Sequence, residues 1–281
     1  MKANQHKSKK HAATLASQAD RHALYQNSVQ DTEAELDFVD EVFVDLNGRR
    51  PHVLREDFCG TGNTACAWVQ RHRRHIAIGV DNDAEVLDWG RAHNLLALTP
   101  AQQQRVRLLQ ADVMLPPARA VDVVLAMNFS YYLFKTRAEL GRYFRRVRQS
   151  LQPDGVFFMD AYGGYEAHSE IEENRECIDE QIGKFTYLWD QHRFNPINHH
   201  MNCQIHFAFP DGSRMDKAFN YDWRLWCLPE LQELLAEAGF SRVHVYWEGT
   251  DEDTNEGDGV YTVQTEGEAD AGWICYLVAQ L

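Results

Sequence analysis

The 281-residue sequence lacks paired cysteines, a long apolar run and a recognisable export signal. Its six cysteines show no CxxC pair and none of the close spacing of a disulfide scaffold, so we expect reduced thiols. His199 and His200 are adjacent, but no paired cysteine or HExxH spacing accompanies them, and we expect no metal site. No apolar run is long enough to cross a bilayer, and the basic start lacks the apolar core of a signal peptide. These absences predict a soluble, cytoplasmic protein with no membrane partner.

Positive charge is also in short supply. The chain has 28 Lys and Arg against 42 Asp and Glu, a net charge of −14, and such a field repels phosphate backbones. We therefore expect no nucleic-acid partner. Four lysines are concentrated in residues 1–12, which we interpret as a flexible basic tail, with a docking or targeting arm as the alternative.

The order of apolar segments predicts an α/β fold. Residues 13–50 should form two N-terminal helices, at 13–30 and then from a capping box at Thr32 and Glu35 to Gly48. Residues 51–281 should form one α/β domain, because short apolar runs there alternate with amphipathic segments, as in βαβ units. The predicted strands are 53–56, 76–81, 106–111, 121–127 and 156–160, and the predicted helices are 63–72, 83–96 and 137–150.

The alternation breaks after Asp160. Strand-like segments at 185–189, 202–209 and 215–221 predict an antiparallel β cap inserted at about residues 162–226. A helix at 229–238, a strand at 243–247, an acidic loop at 248–270 and a last strand at 273–279 should complete the sheet.

The most specific local pattern is a strand that runs into a glycine turn and then a helix, at residues 53–62. Gly60 and Gly62 would let a ligand approach the backbone closely. Asp81 ends the next strand, where a carboxylate can accept both hydroxyls of a ribose. An adenosine-containing ligand is therefore indicated. The spacing of Gly60, Gly62 and Ala65 also satisfies the nicotinamide fingerprint, so this motif alone leaves an NAD(P)-dependent oxidoreductase open.

Further motifs follow in a fixed order: Glu56 before the glycine turn, Asp81, then Ala111-Asp112-Val113, Met127-Asn128, a Leu151-x-Pro153-x-Gly155 turn and Gly239-Phe240. With this order the chain resembles the class I S-adenosylmethionine (SAM) dependent methyltransferase family, of the small-molecule type, over about residues 50–280. The resemblance implies a Rossmann-like, seven-stranded sheet, mostly parallel with an antiparallel last strand. It also implies that SAM is the cofactor and S-adenosyl-L-homocysteine the product.

Taken residue by residue, the resemblance implies that Gly60 and Gly62 pass beneath the methionine part of SAM, that Asp81 holds the ribose, and that Asp112 and Val113 frame the adenine. The full set of expected cofactor-binding residues is Tyr25, Arg55, Glu56, Gly60, Gly62, Asp81, Asn82, Asp112, Val113, Met127 and Asn128. Two positions depart from the family pattern. Phe58 stands where another glycine is frequent, and Arg55 lies in a normally apolar strand, where it meets the SAM carboxylate or pairs with Glu56, Asp57 or Asp160.

Methyl transfer is an in-line displacement that needs few catalytic side chains. As candidate bases we take Tyr131, Tyr132 and His200, and as substrate-binding residues Tyr162, Trp189, His199 and Trp223. The cap aromatics predict a wall around a small substrate, and a cage for a cationic amine is one hypothesis. Ordinary packing of aromatic side chains between strands is the alternative.

The sequence thus predicts a monomeric or homodimeric enzyme that transfers a methyl group from SAM to a small molecule. Three alternatives stay open: an NAD(P)-dependent oxidoreductase, a non-catalytic SAM or metabolite sensor, and a methyltransferase of protein or RNA that the basic tail recruits.

Overall fold

The structure, a computed structural model, describes residues 13–115, 120–179, 182–251 and 257–281, so the predicted tail at 1–12 lies outside the described residues. The helices are α1 Leu15–Gln18, α2 Arg21–Val29, α3 Thr32–Asn47, α4 Asn63–Arg71, α5 Ala84–Gly90, α6 Pro100–Gln103, α7 Arg137–Ser150 and α8 Leu228–Ala238. The strands are β1 Val53–Asp57, β2 Ile76–Asp81, β3 Val106–Gln110, β4 Val121–Ala126, β5 Leu151–Gly163, β6 Glu172–Asp179, β7 Gly183–Phe194, β8 His200–Ala208, β9 Arg214–Arg224, β10 Arg242–Thr250, β11 Gly257–Gln264 and β12 Trp273–Gln280.

The central sheet has the order β11-β10-β12-β5-β4-β1-β2-β3. Strands β1 to β5 pair in parallel, whereas β12 is antiparallel to both β5 and β10. This confirms the predicted Rossmann-like, mostly parallel sheet with an antiparallel last strand, although the sheet has eight strands rather than the expected seven. Since the carboxyl ends of the parallel strands share one edge, the loops that follow them converge there.

One edge of the sheet differs from the prediction. The acidic stretch 248–270 was expected to be a loop, but it contains the end of β10 and the whole of β11, which pair in antiparallel fashion. Val260, Tyr261, Thr262 and Val263 favour a strand, and the surrounding acidic residues and glycines conceal that signal in the sequence.

The cap is a second, antiparallel sheet with the order β6-β7-β8-β9. Its first strand was not predicted, because β6 is an edge strand that is mostly exposed and has no alternation of apolar residues. The cap has its own apolar cluster, in which Leu24 of α2 packs with Phe185, Ile205 and Phe207. The N-terminal helix and the cap therefore share one core.

Two helix starts also differ from the prediction. The expected helix 13–30 is interrupted at Asp20, whose side chain caps α2 by accepting from the N–H groups of His22 and Ala23. Helix α3 is capped by Asp31 rather than by a box of Thr32 with Glu35, since the Asp31 carboxylate accepts from the N–H of Ala34. The Glu35 side chain is thereby left out of capping. Among the helices of the described ranges, none has the length and apolarity of a membrane span.

Candidate functional site

The glycine loop between β1 and α4 is built from left-handed backbone. Phe58, Gly60 and Gly62 have φ of 59°, 52° and 66°. Phe58 thus adopts the conformation that glycine favours, at the position where the family often has glycine. The N–H of Gly60 donates to Asp81 Oδ2 at 2.8 Å, and Asp81 Oδ1 accepts from the N–H of Asp83 at 2.9 Å. The carboxylate of Asp81 is therefore fixed at the loop, and it forms no ion pair with the residues that the structure describes.

The two glycines of this loop, Gly60 and Gly62, have different surroundings. A Cβ placed on Gly60 would meet nothing closer than Val86 Cγ2 at 4.0 Å, so the space above Gly60 is open. A Cβ on Gly62 would lie 2.5 Å from Leu108 Cδ2, so a larger residue at position 62 would have to displace the Leu108 side chain. The open backbone at Gly60, with the Asp81 carboxylate beside it, is a cradle that fits an adenosyl ligand.

Glu56 lies beneath the loop. Its Oε2 accepts from the N–H of Ala65 at 3.0 Å, which fixes the first turn of α4. Burial raises the pKa of Glu56 to about 8, and the carboxylates of Asp81 and Asp57 act in the same direction. The geometry supports a role in holding the glycine loop.

The predicted adenine side of the site lies at the neighbouring strand ends. Strands β2 and β3 are paired so that Asp81 lies opposite Gln110, which brings Asn82 and Asp112 to the same edge of the sheet. The side chain of Asp112 is exposed, and its Oδ1 accepts from the N–H of Met114 at 2.8 Å, while Val113 is buried.

Arg55 does not face this cradle. Its Nε donates to Asp57 Oδ1 at 2.6 Å and its Nη2 donates to the carbonyl of Val113 at 2.8 Å, with 3% of the residue exposed. The expected contact of Arg55 with the SAM carboxylate is therefore corrected. The guanidinium is buried in the sheet, where its partners are Asp57 and the carbonyl of Val113. Of the two readings, the ion pair is the one observed.

A cavity of about 670 Å³ lies between helices α2 and α3, the ends of β4, β5 and β12, and the cap. Six of the predicted site residues line it: Tyr25, Met127, Asn128, Tyr162, Trp189 and Trp223. We refer to this cavity as the chamber. The structure thus brings the predicted methyl-bordering residues and the predicted cap aromatics to one place.

Sequence reasoning missed the carboxylates of the chamber. Asp160 is the most informative, because its Oδ2 accepts from the N–H of Asn128 at 2.7 Å and its Oδ1 from the N–H of Phe129 at 2.9 Å. Both of these residues have positive φ, 57° and 55°. Burial raises the pKa of Asp160 to about 7. Its place at the end of an apolar strand was the available signal.

The two tyrosines proposed as bases lie behind the chamber wall. Tyr131 and Tyr132 are fully buried, and their hydroxyls donate to the carbonyls of Asp160 at 2.7 Å and Tyr162 at 3.2 Å. Burial raises the pKa of both phenols. Neither is among the residues that line the chamber, so the expected catalytic role is corrected to a structural one.

The two histidines are also placed elsewhere. His199 and His200 lie at the turn between β7 and β8, where the His199 ring packs 5.6 Å from the rings of His168 and Phe194. Neither lines the chamber. The strand-like sequence around them concealed a hairpin turn that carries them away from the other predicted residues. In the part of the chain that is described, no three His, Cys, Asp or Glu side chains are grouped to hold a metal ion.

Comparison with known proteins relates part of the chain to one family model. Residues 57–159 match the family model for the Methyltransferase domain. No curated protein matches the sequence.

Solved structures share the fold across almost the whole chain. A SAM-dependent methyltransferase from Clostridium acetobutylicum superimposes with a TM-score of 0.65 at 18% identity, covering 92% of this chain and 97% of the other. A SAM-bound amino pentose methyltransferase from Micromonospora echinaspora gives 0.65 at 14% identity, covering 92% and 96%. The sugar N-methyltransferase KedS8 from Streptoalloteichus gives 0.62 at 18% identity, covering 100% and 99%.

Proposed function

We propose that the chain is a class I SAM-dependent methyltransferase that methylates a small molecule held in the chamber, which its domain match and its fold support. SAM, when bound, supplies an activated methyl group and leaves as S-adenosyl-L-homocysteine. We also propose that the enzyme works in the cytoplasm as a monomer or homodimer, without a nucleic-acid partner, which its net charge of −14 supports.

The observation that carries this proposal is that the glycine loop and one side of the chamber follow two neighbouring strands of the sheet. Strand β1, which leads into the glycine loop, lies beside β4, with Glu56 opposite Leu125. Met127 and Asn128 follow β4 and line the chamber. The cradle at Gly60 and the chamber are therefore neighbours across the end of one strand, which is what a direct transfer between two bound reactants requires.

The residues of the chain supply binding and position. Gly60 and Asp81 would hold the adenosyl and methionine parts of the cofactor, and Asp160 fixes the loop of Asn128 and Phe129 at the chamber floor. Aromatic side chains from the cap, including Trp189 and Trp223, line the chamber and would limit the access of water to a bound acceptor.

The size of the chamber supports a small acceptor. About 670 Å³ is within the range of small-molecule sites, and the cap sheet limits access by a macromolecule. Structures with this fold include enzymes named for an amino pentose and for a sugar nitrogen, which agrees with an acceptor of that size.

Ligand-dependent stability of the purified protein tests the cofactor assignment. Saturating SAM should raise the melting temperature, and Asp81→Ala should abolish that increase. Asp88→Ala is the matched control, because Asp88 is exposed on α5 and its surface pair with Arg91 contributes little. Protection by NAD but not by SAM would reverse the assignment in favour of an oxidoreductase.

Turnover separates an enzyme from a sensor. Incubation with radiolabelled SAM and a cell metabolite extract should transfer label to a compound of low molecular mass. SAM binding without any labelled product would identify a non-catalytic binding protein, and label on protein or RNA would contradict the small-molecule acceptor.

A further inference from the structure

The lining of the chamber has a strong excess of acidic residues. Among the described residues that line it, six are acidic and one is basic: Asp31, Glu35, Asp160, Glu166, Glu173 and Glu248, with Arg175. The guanidinium of Arg175 is already engaged, because it donates to the carbonyl of Ser28 and lies 5.5 Å from the ring centre of Tyr187. The field inside the chamber therefore favours a cation and repels a phosphorylated or carboxylated guest.

One of these carboxylates has a buried oxygen without a partner. Oε1 of Glu35 is inaccessible to water and has no hydrogen bond within the described structure. Asp31 caps α3, so the Glu35 side chain is free to turn to the chamber. Burial raises the pKa of Glu35, and the nearby charges of Glu56, Asp160 and Asp31 raise it further. A buried carboxyl group without a partner gains most from a nearby cation, which stabilises its ionised form.

The other walls present aromatic rings to the same space. Tyr221 and Trp223 stack with ring centres 4.4 Å apart, and Trp189 lies 6.0 Å from Trp223. Phe129 and Tyr162, at the ends of β4 and β5, meet edge to face with ring centres 4.7 Å apart. All five residues line the chamber. Ring faces attract ammonium groups, most strongly where water is excluded.

We infer that the acceptor is a small molecule with a protonated amine, that Glu35 is the residue that recognises its ammonium group, and that the cap aromatics surround it. This inference rests on the proposed function, since it names the acceptor class of the same site. It goes beyond the size argument, because the chamber would then discriminate between guests of one shape by their charge.

A set of three probes of nearly equal shape tests the inference: choline, the neutral 3,3-dimethyl-1-butanol and the anion 3,3-dimethylbutyrate. Their binding to the purified full chain is measured by calorimetry with S-adenosyl-L-homocysteine at saturation, so that the cofactor cradle is filled by a neutral thioether. Choline should bind about tenfold or more tightly than the neutral probe, and the anion should bind more weakly than both.

Two variants on one helix assign the effect to Glu35. Glu35→Gln removes the negative charge, so it should lower the affinity for choline about tenfold and leave the neutral probe unchanged. Glu41→Gln, which makes the same charge change at an exposed position of α3, should change neither. The variants are compared only after each is shown to bind S-adenosyl-L-homocysteine like the original chain.

Three results would overturn the inference: equal affinity for choline and the neutral probe, undetectable binding of choline, or a choline preference that persists in Glu35→Gln. If S-adenosyl-L-homocysteine binds and label is transferred to a metabolite while choline is not preferred, the inference fails and the proposed function stands. If S-adenosyl-L-homocysteine does not bind the original chain, both fail together.

Discussion

Adding one methyl group at Gly60 provides the most direct test of the cradle. Gly60 has φ of +52°. Among the described residues, the atom nearest to a Cβ placed there is Val86 Cγ2, at 4.0 Å. In Gly60→Ala the only intrinsic penalty is therefore the left-handed backbone, about 1–2 kcal/mol. For a protein of this length, that should lower the melting temperature by about 2–4 °C per kcal/mol.

The effect on the ligand should be larger than the effect on the fold. The added methyl occupies the space that the methionine part of SAM would take, and overfilling a fitted space costs about 1–3 kcal/mol. SAM affinity in Gly60→Ala, measured by calorimetry, should fall by about 5-fold to 150-fold.

Gly48 supplies the matched control. It has φ of +64°, no atom lies within 4 Å of its Cβ position, and it ends α3 at a distance along the chain from the glycine loop. Gly48→Ala should lose similar stability and bind SAM with unchanged affinity. If Gly60→Ala binds SAM as tightly as Gly48→Ala does, the ligand does not lie on Gly60, and the assignment of the cradle is refuted.

Three further predictions follow from groups beneath and behind the site. Arg55→Leu should lower the free energy of unfolding in urea by about 3–5 kcal/mol, because it strands a buried Asp57 carboxylate; a loss below 1 kcal/mol would contradict the buried pair. Tyr131→Phe should keep the rate of methyl transfer and lose about 1–2 kcal/mol of stability, since its buried hydroxyl donates to the Asp160 carbonyl; a large loss of rate in a folded variant would restore it as a catalytic residue. Because burial raises the pKa of Glu56 to about 8, from about 4.5 when unfolded, its contribution makes unfolding easier as pH rises from about 4.5 to 8; Glu56→Gln should flatten the pH dependence of stability, and an unchanged slope would exclude this contribution.

The alternation of strands and helices made the central sheet predictable. Apolar runs such as Val121–Ala126 form strands that are buried on both faces of the sheet, which is typical of parallel strands. Edge strands carry no such pattern. Both β6 and β11 are largely exposed, and their pairing is decided by neighbours that are distant in sequence, which local patterns do not record.

The site was predictable where backbone geometry defines it. The turn around Gly60 and the acidic end of β2 need particular residues at particular spacing, and the structure has the expected turn. The chamber was not predictable in the same way, because Glu35 and Asp160 come from segments far apart in the chain. In addition, Glu35 fitted a capping box in the sequence, and only the competing cap at Asp31 shows that it is available.

The apolar cluster that joins Leu24 to Phe185 and Phe207 has a consequence for engineering. Transplanting the cap strands from a related scaffold, in order to change what is methylated, would leave Leu24 facing a foreign surface. The transferable module is therefore discontinuous, and it comprises α2 together with β6 to β9. Chimaeras that exchange α2 and the cap strands together should fold. Chimaeras that exchange only one of them should expose an apolar patch between the two and aggregate.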